Sequence, residues 1–274
     1  ILKTPRYEVF SLRFDSPIKT EDPENNIVPG EYFRPIRPDG KKVPAVVILH
    51  ILGADFPLSR FMAARMADHG VAALFIRLPY YGERRPKRAG AGKAREFLSR
   101  DIAASMQAMR QGICDVRYAA RWLSSRPEVD ASRLGVAGIS LGGIVSSVAV
   151  AVDPAIDRGA FLMAGGDLGR ILWEMPEAAP FRKEWEGAGR TLADLRRLTD
   201  PFDPLTYADR LKTKRVLMFG AKVDEVVPPE CTIALWEKAG KPPIQWYDCG
   251  HYSAIGYLLP AIRQAAEFLE NPER

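Results

Sequence analysis

One hexapeptide constrains this chain more than any other stretch: Gly138-Ile139-Ser140-Leu141-Gly142-Gly143. An apolar run, Leu134-Gly135-Val136-Ala137, leads into it, and another, Ile144 to Val152, leads out. The pattern predicts a buried strand that turns abruptly into a helix with a serine at the apex. Glycines two before and two after the serine remove the Cβ atoms that would clash in so sharp a turn. Such a turn holds Ser140 in a strained backbone conformation with its hydroxyl above the strand ends. The N–H groups that open the helix then face whatever the hydroxyl attacks. The plainer alternative is a glycine-rich turn whose serine caps the helix.

The rest of the chain alternates strand and helix. Tyr7 to Phe14 and Gly30 to Arg37 read as an antiparallel hairpin opening the sheet, with Pro35 and Pro38 suggesting that the second strand is an edge. Ala45 to Leu49 is a continuous apolar run, as in a strand buried on both faces. A helix is expected over Leu58 to His69 and a strand over Val71 to Arg77. The strand's exit loop is Leu78-Pro79-Tyr80-Tyr81-Gly82-Glu83-Arg84-Arg85-Pro86, followed by a basic linker from Lys87 to Lys93. A long helix from Ser99 to Ser124 follows, with Asp101 in its first turn and Gly112 as a weak point. Strands over Arg133 to Ala137, Ala160 to Ala164, Arg215 to Gly220 and Ile244 to Asp248 alternate with helices over Leu141 to Val152, Pro229 to Ala239 and Ala254 to Glu270. Residues 167–199 mix large apolar side chains with charges and read as a helical cap over the sheet. The expected architecture is one α/β domain over residues 1–274, a mostly parallel sheet with helices on both faces. Length alone also permits two domains.

Composition narrows the function classes. With 47% hydrophobic and 27% charged residues the chain has the makeup of an ordinary globular protein. The net charge of +5 is spread along the sequence. The one basic cluster, Arg84, Arg85, Lys87, Arg88, Lys93 and Arg95, reads as a solvated surface rather than a nucleic-acid site. Three cysteines, Cys114, Cys231 and Cys249, have no metal-ligand spacing and cannot all pair, so a disulfide framework is not expected, although the number leaves room for one bridge. No run is long enough to span a membrane. No dinucleotide loop or phosphate-cradling motif is present, and the reading calls for no metal and no cofactor. The chain begins at Ile1 rather than Met, as expected if a start or leader has been removed, and neither localisation nor oligomeric state is legible.

Serine is a weak nucleophile until a base takes its proton. Of the three histidines, His69 ends a helix. His50 ends a buried strand and is read as shaping the adjoining loop through hydrogen bonds. His251, in Cys249-Gly250-His251-Tyr252, follows the last strand and can reach back to the serine turn. The imidazole needs an acid to fix its tautomer. Asp224, just after the penultimate strand, is preferred over its neighbour Glu225, which the following Val-Val-Pro turns toward solvent; Asp203 and Asp248 are weaker candidates. Two donors are needed for an oxyanion. The N–H of Leu141 is one, and that of Leu52 or Ile51 the other. Tyr80 and Tyr81 are candidate substrate contacts or aromatic packing, and Trp173, Met175, Phe181 and Trp185 either line a pocket or pack the cap.

Taken together these residues resemble the α/β-hydrolase superfamily over roughly Val43 to Leu269. Gly-Ile-Ser-Leu-Gly-Gly, Gly-Ala-Lys-Val-Asp-Glu-Val-Val-Pro and Gly-His resemble its three triad motifs. The Asp130-Ala-Ser-Arg-Leu-Gly-Val-Ala-Gly approach looks like the dienelactone-hydrolase, acetyl-xylan-esterase and prolyl-oligopeptidase branches. Pro79 to Pro86 looks like the PYYGxRxP signature of a smaller α/β-hydrolase-domain family. The superfamily's oxyanion loop usually reads His-Gly, and Ile51 stands here in place of that glycine. The resemblance implies a serine carboxylic-ester hydrolase acting on a small or medium ester through an acyl-serine, with Ser140, His251 and Asp224 as triad. An acyltransferase or peptidase with the same triad, or a silent fold used for binding, are the alternatives. The lack of an accessory domain such as a propeller argues against an oligopeptidase.

Overall fold

The run Val43–Leu49 is buried at every position, and its side chains divide between two cores by parity. Val43, Ala45, Val47 and Leu49 join one apolar cluster, Val46 and Ile48 the other. Successive side chains of a strand point to opposite faces, so this strand lies inside a sheet covered on both sides. The computed structural model describes residues 2–37, 39–53, 56–87 and 96–271. Arg88, Lys93, Arg95 and Pro38 fall outside them.

In chain order the strands are β1 (Leu2–Lys3), β2 (Tyr7–Asp15), β3 (Ile27–Pro35), β4 (Val43–Leu49), β5 (Ala72–Ile76), β6 (Val129–Ile139), β7 (Arg158–Leu162), β8 (Arg215–Ala221) and β9 (Ile244–Tyr247). The helices are α1 (Phe56–Asp68), α2 (Ile102–Ser124), α3 (Leu141–Val152), α4 (Leu168–Glu174), α5 (Ala179–Gly187), α6 (Leu192–Thr199), α7 (Pro204–Tyr207), α8 (Pro229–Lys238) and α9 (Leu258–Glu270). One sheet runs β1-β2-β3-β5-β4-β6-β7-β8-β9. β1, β2 and β3 pair antiparallel with one another and onto β5, and every pairing from β5 to β9 is parallel. Helices α1 and α9 cover one face and α2, α3 and α8 the other.

The hairpin of β2 and β3 is present, but β3 is not an edge. It lies between β2 and β5, and β1 takes the edge. Its pairing with β5 covers Gly30 to Phe33, so Pro29 and Pro35 flank that ladder instead of interrupting it. This is how an interior strand accommodates residues with no N–H to donate. α2 is continuous through Gly112, and Asp101 is its N-cap, accepting the Ala104 N–H at 3.1 Å.

The order of strands fixes where a ligand goes. The chain moves outward from β4 to β5 and then crosses back over β4 to β6, after which each strand adds on the far side. The direction of winding therefore reverses between β4 and β6, and a crevice opens beyond the carboxyl ends of those two strands. Leu49 at the end of β4 is in register with Gly138 near the end of β6.

Candidate active site

Ser140 occupies that crevice. Its backbone has φ 54° and ψ −119°, a region that a residue with a side chain enters at a cost of about 1–3 kcal/mol. What enforces the conformation is the crowding around it. A Cβ on Gly138 would lie 2.4 Å from the Gly142 carbonyl carbon, and one on Gly142 would lie 2.6 Å from the Leu49 carbonyl oxygen. The Ser140 N–H is anchored on the Leu162 carbonyl at 2.8 Å. Although Ser140 stands at the N-cap of α3, its side chain makes no capping bond. The hydroxyl is turned instead to His251, whose Nε2 lies 2.9 Å from Oγ.

His251 sits in the turn after β9, and its Nδ1 is 2.9 Å from Oδ2 and 3.0 Å from Oδ1 of Asp224. The N–H groups of Val226 and Val227 both donate to Asp224 Oδ1, at 2.9 and 2.7 Å. An ionised carboxylate only accepts, so Nδ1 is the donor and Nε2 keeps a lone pair for the serine hydroxyl. The other acids are engaged elsewhere. Glu225 accepts the backbone N–H of His251 at 2.8 Å, Asp203 accepts the N–H groups of Asp167, Leu168 and Leu205, and Asp248 pairs with Lys222. Glu225 thus holds the histidine turn from its main chain, not from its ring.

His50 works as a spacer between two loops. Its Nδ1 is 2.7 Å from the Ile51 carbonyl oxygen, and its Nε2 accepts the Leu78 N–H at 3.0 Å. The ring therefore carries its proton on Nδ1 and ties the loop leaving β4 to the loop leaving β5. Burial holds its pKa down at about 4, with the nearby Arg77 and Arg84 pulling the same way. His69 closes α1, its N–H bonded to the Arg65 and Met66 carbonyls.

Ser140 borders a small apolar cavity of ≈ 70 Å³, shared with Leu52 and Leu141. Leu141 is the first residue of α3, where a helix leaves its N–H groups without internal partners. Met106 and Met109 of α2, Ile144 of α3 and Ile171 and Leu172 of α4 supply much of the wall. A larger outer cavity of ≈ 420 Å³ shares Leu52, Phe97, Leu98, Leu172 and Met175 with the inner one. Its other walls include Tyr80, Tyr81, Arg85, Arg100, Glu177 and Phe181.

The stretch 167–199 thus reaches the crevice, and of the four residues its sequence brings forward Met175 and Phe181 line the cavities while Trp173 and Trp185 do not. Trp173 is in neither lining, and its carbonyl accepts from Arg182. Phe181 faces the outer cavity, 5.3 Å from the Trp185 ring, and Trp185 is absorbed into helix packing through its bond to the Thr191 carbonyl. Met175 lines both cavities. Sequence reasoning missed Met106, Met109 and Leu172. Their signal is the apolar stripe of an amphipathic helix, which reads equally well as core.

Two family models match. Alpha/beta hydrolase domain containing 18 covers residues 13–156, and the prolyl oligopeptidase family covers residues 88–247, each more than half of the 274 residues. The chain belongs to the α/β-hydrolase superfamily. An uncharacterised protein of Mycobacterium tuberculosis H37Rv is 26% identical over 206 residues, 72% of this chain and 46% of that protein. This α/β-hydrolase chain therefore spans about half the length of that relative. Among solved structures, the acetyl xylan esterase of Paenibacillus sp. R4 superposes with a TM-score of 0.74 at 22% identity, over 96% of this chain and 86% of the other. Acetyl xylan esterase 1 of Thermoanaerobacterium sp. JW/SL YS485 gives 0.71 at 21% identity, over 97% and 85%. At that identity the likeness is one of fold.

Proposed function

We propose that this chain is a serine carboxylic-ester hydrolase for small to medium esters, acting through Ser140, His251 and Asp224. The observation that carries the reading is the unbroken relay from the Asp224 carboxylate through the two His251 nitrogens to the hydroxyl of a backbone-strained serine. In this reading Ser140 Oγ attacks the ester carbonyl carbon while His251 Nε2 takes the hydroxyl proton. Asp224 holds the Nδ1–H tautomer and stabilises the imidazolium that results. The carbonyl oxygen becomes an oxyanion, and the N–H of Leu141 faces it together with that of Leu52. As the tetrahedral centre collapses, Nε2–H gives its proton to the departing alcohol and leaves an acyl-Ser140. Water then attacks the acyl carbon, loses its proton to Nε2, and the carboxylic acid departs as Ser140 recovers its hydroxyl.

The inner cavity, narrow and apolar, suits a short acyl chain, and the outer one suits the alcohol, with Tyr80 or Tyr81 as a polar handle. We take residues 167–199 as a cap on a single domain, since α4 contributes to both walls. Treatment with a fluorophosphonate probe tests the assignment: the wild-type protein should be labelled on Ser140 and the Ser140→Ala variant should not. Absence of labelling in the wild type, or labelling that survives the substitution, sinks it. A nitrophenyl ester series should then favour short acyl chains.

A second reading, a peptidase with the same triad, is favoured by the prolyl oligopeptidase match over residues 88–247. Hydrolysis of matched ester and anilide substrates separates the two. Turnover of the anilide at a rate comparable to the ester would favour the peptidase.

A further inference from the structure

The loop leaving β5 contains an oddity that the triad does not use. Tyr80 has φ 64°, the left-handed conformation that a side chain makes unfavourable and that glycine takes freely. A glycine follows two residues later, yet the residue in this conformation is a tyrosine. Tyr80 is one of the residues lining the outer cavity. An observed strained residue at a cavity wall is a reason to ask what holds it there.

The answer lies behind the loop. Asn25, in the 3-10 turn Pro23–Asn26 before β3, accepts the Tyr80 N–H on its side-chain oxygen at 3.0 Å. Its side-chain N–H₂ donates to Gln111 Oε1 at 2.8 Å. Its carbonyl accepts two N–H groups of Arg84, Nη2 at 2.7 Å and Nε at 3.1 Å. Arg84 Nη1 in turn donates to Asp115 Oδ2 at 2.7 Å and to the Arg77 carbonyl at 2.9 Å. Ser16 donates to Asp115 Oδ1 at 2.6 Å and accepts from Gln111 at 3.2 Å. All five side chains are buried, with Arg84, Asp115 and Asn25 at 0% exposure. A buried ion pair is weak evidence of stability, because apolar residues often replace one without loss. A fully connected polar network does select one conformation over its neighbours.

We propose that Asn25 is a specificity-positioning residue: held by the Arg84–Asp115 network, it clamps the Tyr80 amide and so keeps the Tyr80 ring as the wall against which the alcohol part of an ester rests. Asn25 touches no substrate and acts through Tyr80. The inference rests on the proposed ester hydrolysis for its kinetic readout, and on the clamp geometry alone for its structural one. Without the Asn25 acceptor, Tyr80 relaxes to negative φ and its ring leaves the wall, while Ser140, on the other side of the crevice, keeps its partners.

The test is a double-mutant cycle on two acetyl esters, methyl acetate and 2-naphthyl acetate, whose alcohols differ in reach. Asn25→Ala should lower kcat/KM for the naphthyl ester about tenfold, mainly through KM, with methyl acetate hydrolysis and the rate of inactivation by diisopropyl fluorophosphate within about twofold of wild type. Tyr80→Gly, which removes both ring and strain, should lower kcat/KM for the naphthyl ester by a similar factor. Asn25→Ala added to Tyr80→Gly should cost almost nothing more, because the clamp then has nothing to hold. Additive losses, equal losses on both esters, or no loss on either would overturn the proposal. If Asn25→Ala does not accumulate folded protein, Gln111→Leu, which removes the amide supporting Asn25, takes its place in the cycle with the same expected pattern. If the wild type hydrolyses neither ester and resists the fluorophosphate, the hydrolase reading falls, and deuterium exchange at the Tyr80 N–H decides the clamp. Faster exchange in the variant than in the wild type supports it, and unchanged exchange overturns it.

Discussion

The serine turn and the 167–199 excursion meet at the same crevice but are built by different means. At the turn, main chain fixes main chain: Gly138 and Gly142 are packed so closely that neither tolerates a Cβ, and the Ser140 N–H is tied to β7. In the excursion, side chains do the fixing. Thr191 and Asp194 form a capping box at the start of α6, Arg196 binds Asp167, and Trp185 reaches the Thr191 carbonyl. A backbone lock fails all at once, whereas a wall of interchangeable apolar side chains changes by degrees. Under the proposed function the contrast places reactivity in the first region and selectivity in the second.

The largest expected effect falls on the acid that reaches the serine turn through His251. Asp224→Asn leaves the shape of the site but offers His251 the wrong partner for its Nδ1–H, and turnover should fall on the order of ten-thousandfold by analogy with serine proteases. A loss of tenfold or less in steady-state assays would pass the role to another acid and blur the contrast.

Next comes a test of stability through His50. Its folded-state pKa of about 4 lies below the unfolded value of 6.5, so the unfolded chain binds the proton first as pH falls. Its contribution is complete above about pH 6.5, declines between there and about pH 4, and amounts to at most about 3 kcal/mol. Denaturant unfolding across that window should show the decline, and His50→Gln should flatten it. An identical pH slope in wild type and variant would mean that other groups account for acid sensitivity.

A smaller effect belongs to the cavity wall. Leu172→Ala enlarges the space beside Ser140 and should move acyl-chain preference upward by several-fold in kcat/KM with little change in fluorophosphonate labelling. The smallest effect is expected one residue away. Trp173→Ala should leave chain-length preference within about twofold of wild type, since Trp173 is in neither lining. Equal shifts from both substitutions would show that the whole helix, rather than one face of it, sets selectivity.

Those neighbours also mark what a sequence tells and withholds. The strand-serine-helix turn is legible because a forbidden Cβ leaves glycines at fixed offsets, and the order of serine, acid and histidine follows from the winding of the sheet. The sequence favours Asp224 over Glu225 because the following Val226, Val227 and Pro228 suggest that Glu225 turns toward solvent, and the His251 ring lies against Asp224. The cavity wall is legible only in part: Tyr80, Tyr81, Met175 and Phe181 stand out in the sequence and line it, and others do not stand out. Adjacent residues on a helix point about 100° apart, so Trp173 attracts attention while Leu172 lines the space. Met106 and Met109 lie on a stripe that looks the same whether it meets another helix or a void. Pro35 suggested an edge because a proline removes one donor, and sequence does not say whether a neighbouring strand asks for that donor. Asn25, Gln111 and Asp115 are far apart in the chain, and no local pattern announces their meeting.

The position of Gly142 has one more consequence. A Cβ there would meet the carbonyl oxygens of Leu49 at 2.6 Å and His50 at 2.8 Å, so the start of α3 and the exit of β4 leave no room between them for a side chain. Any residue larger than glycine at 142 would push the two apart. Heating, crowding or a badly fitting guest can loosen the wall helices and change what is admitted, but the distance between the serine and the segment facing it is set by one solid joint. Under the proposed function, selectivity is then open to side-chain exchange along the walls, while position 142 stays closed to anything but glycine.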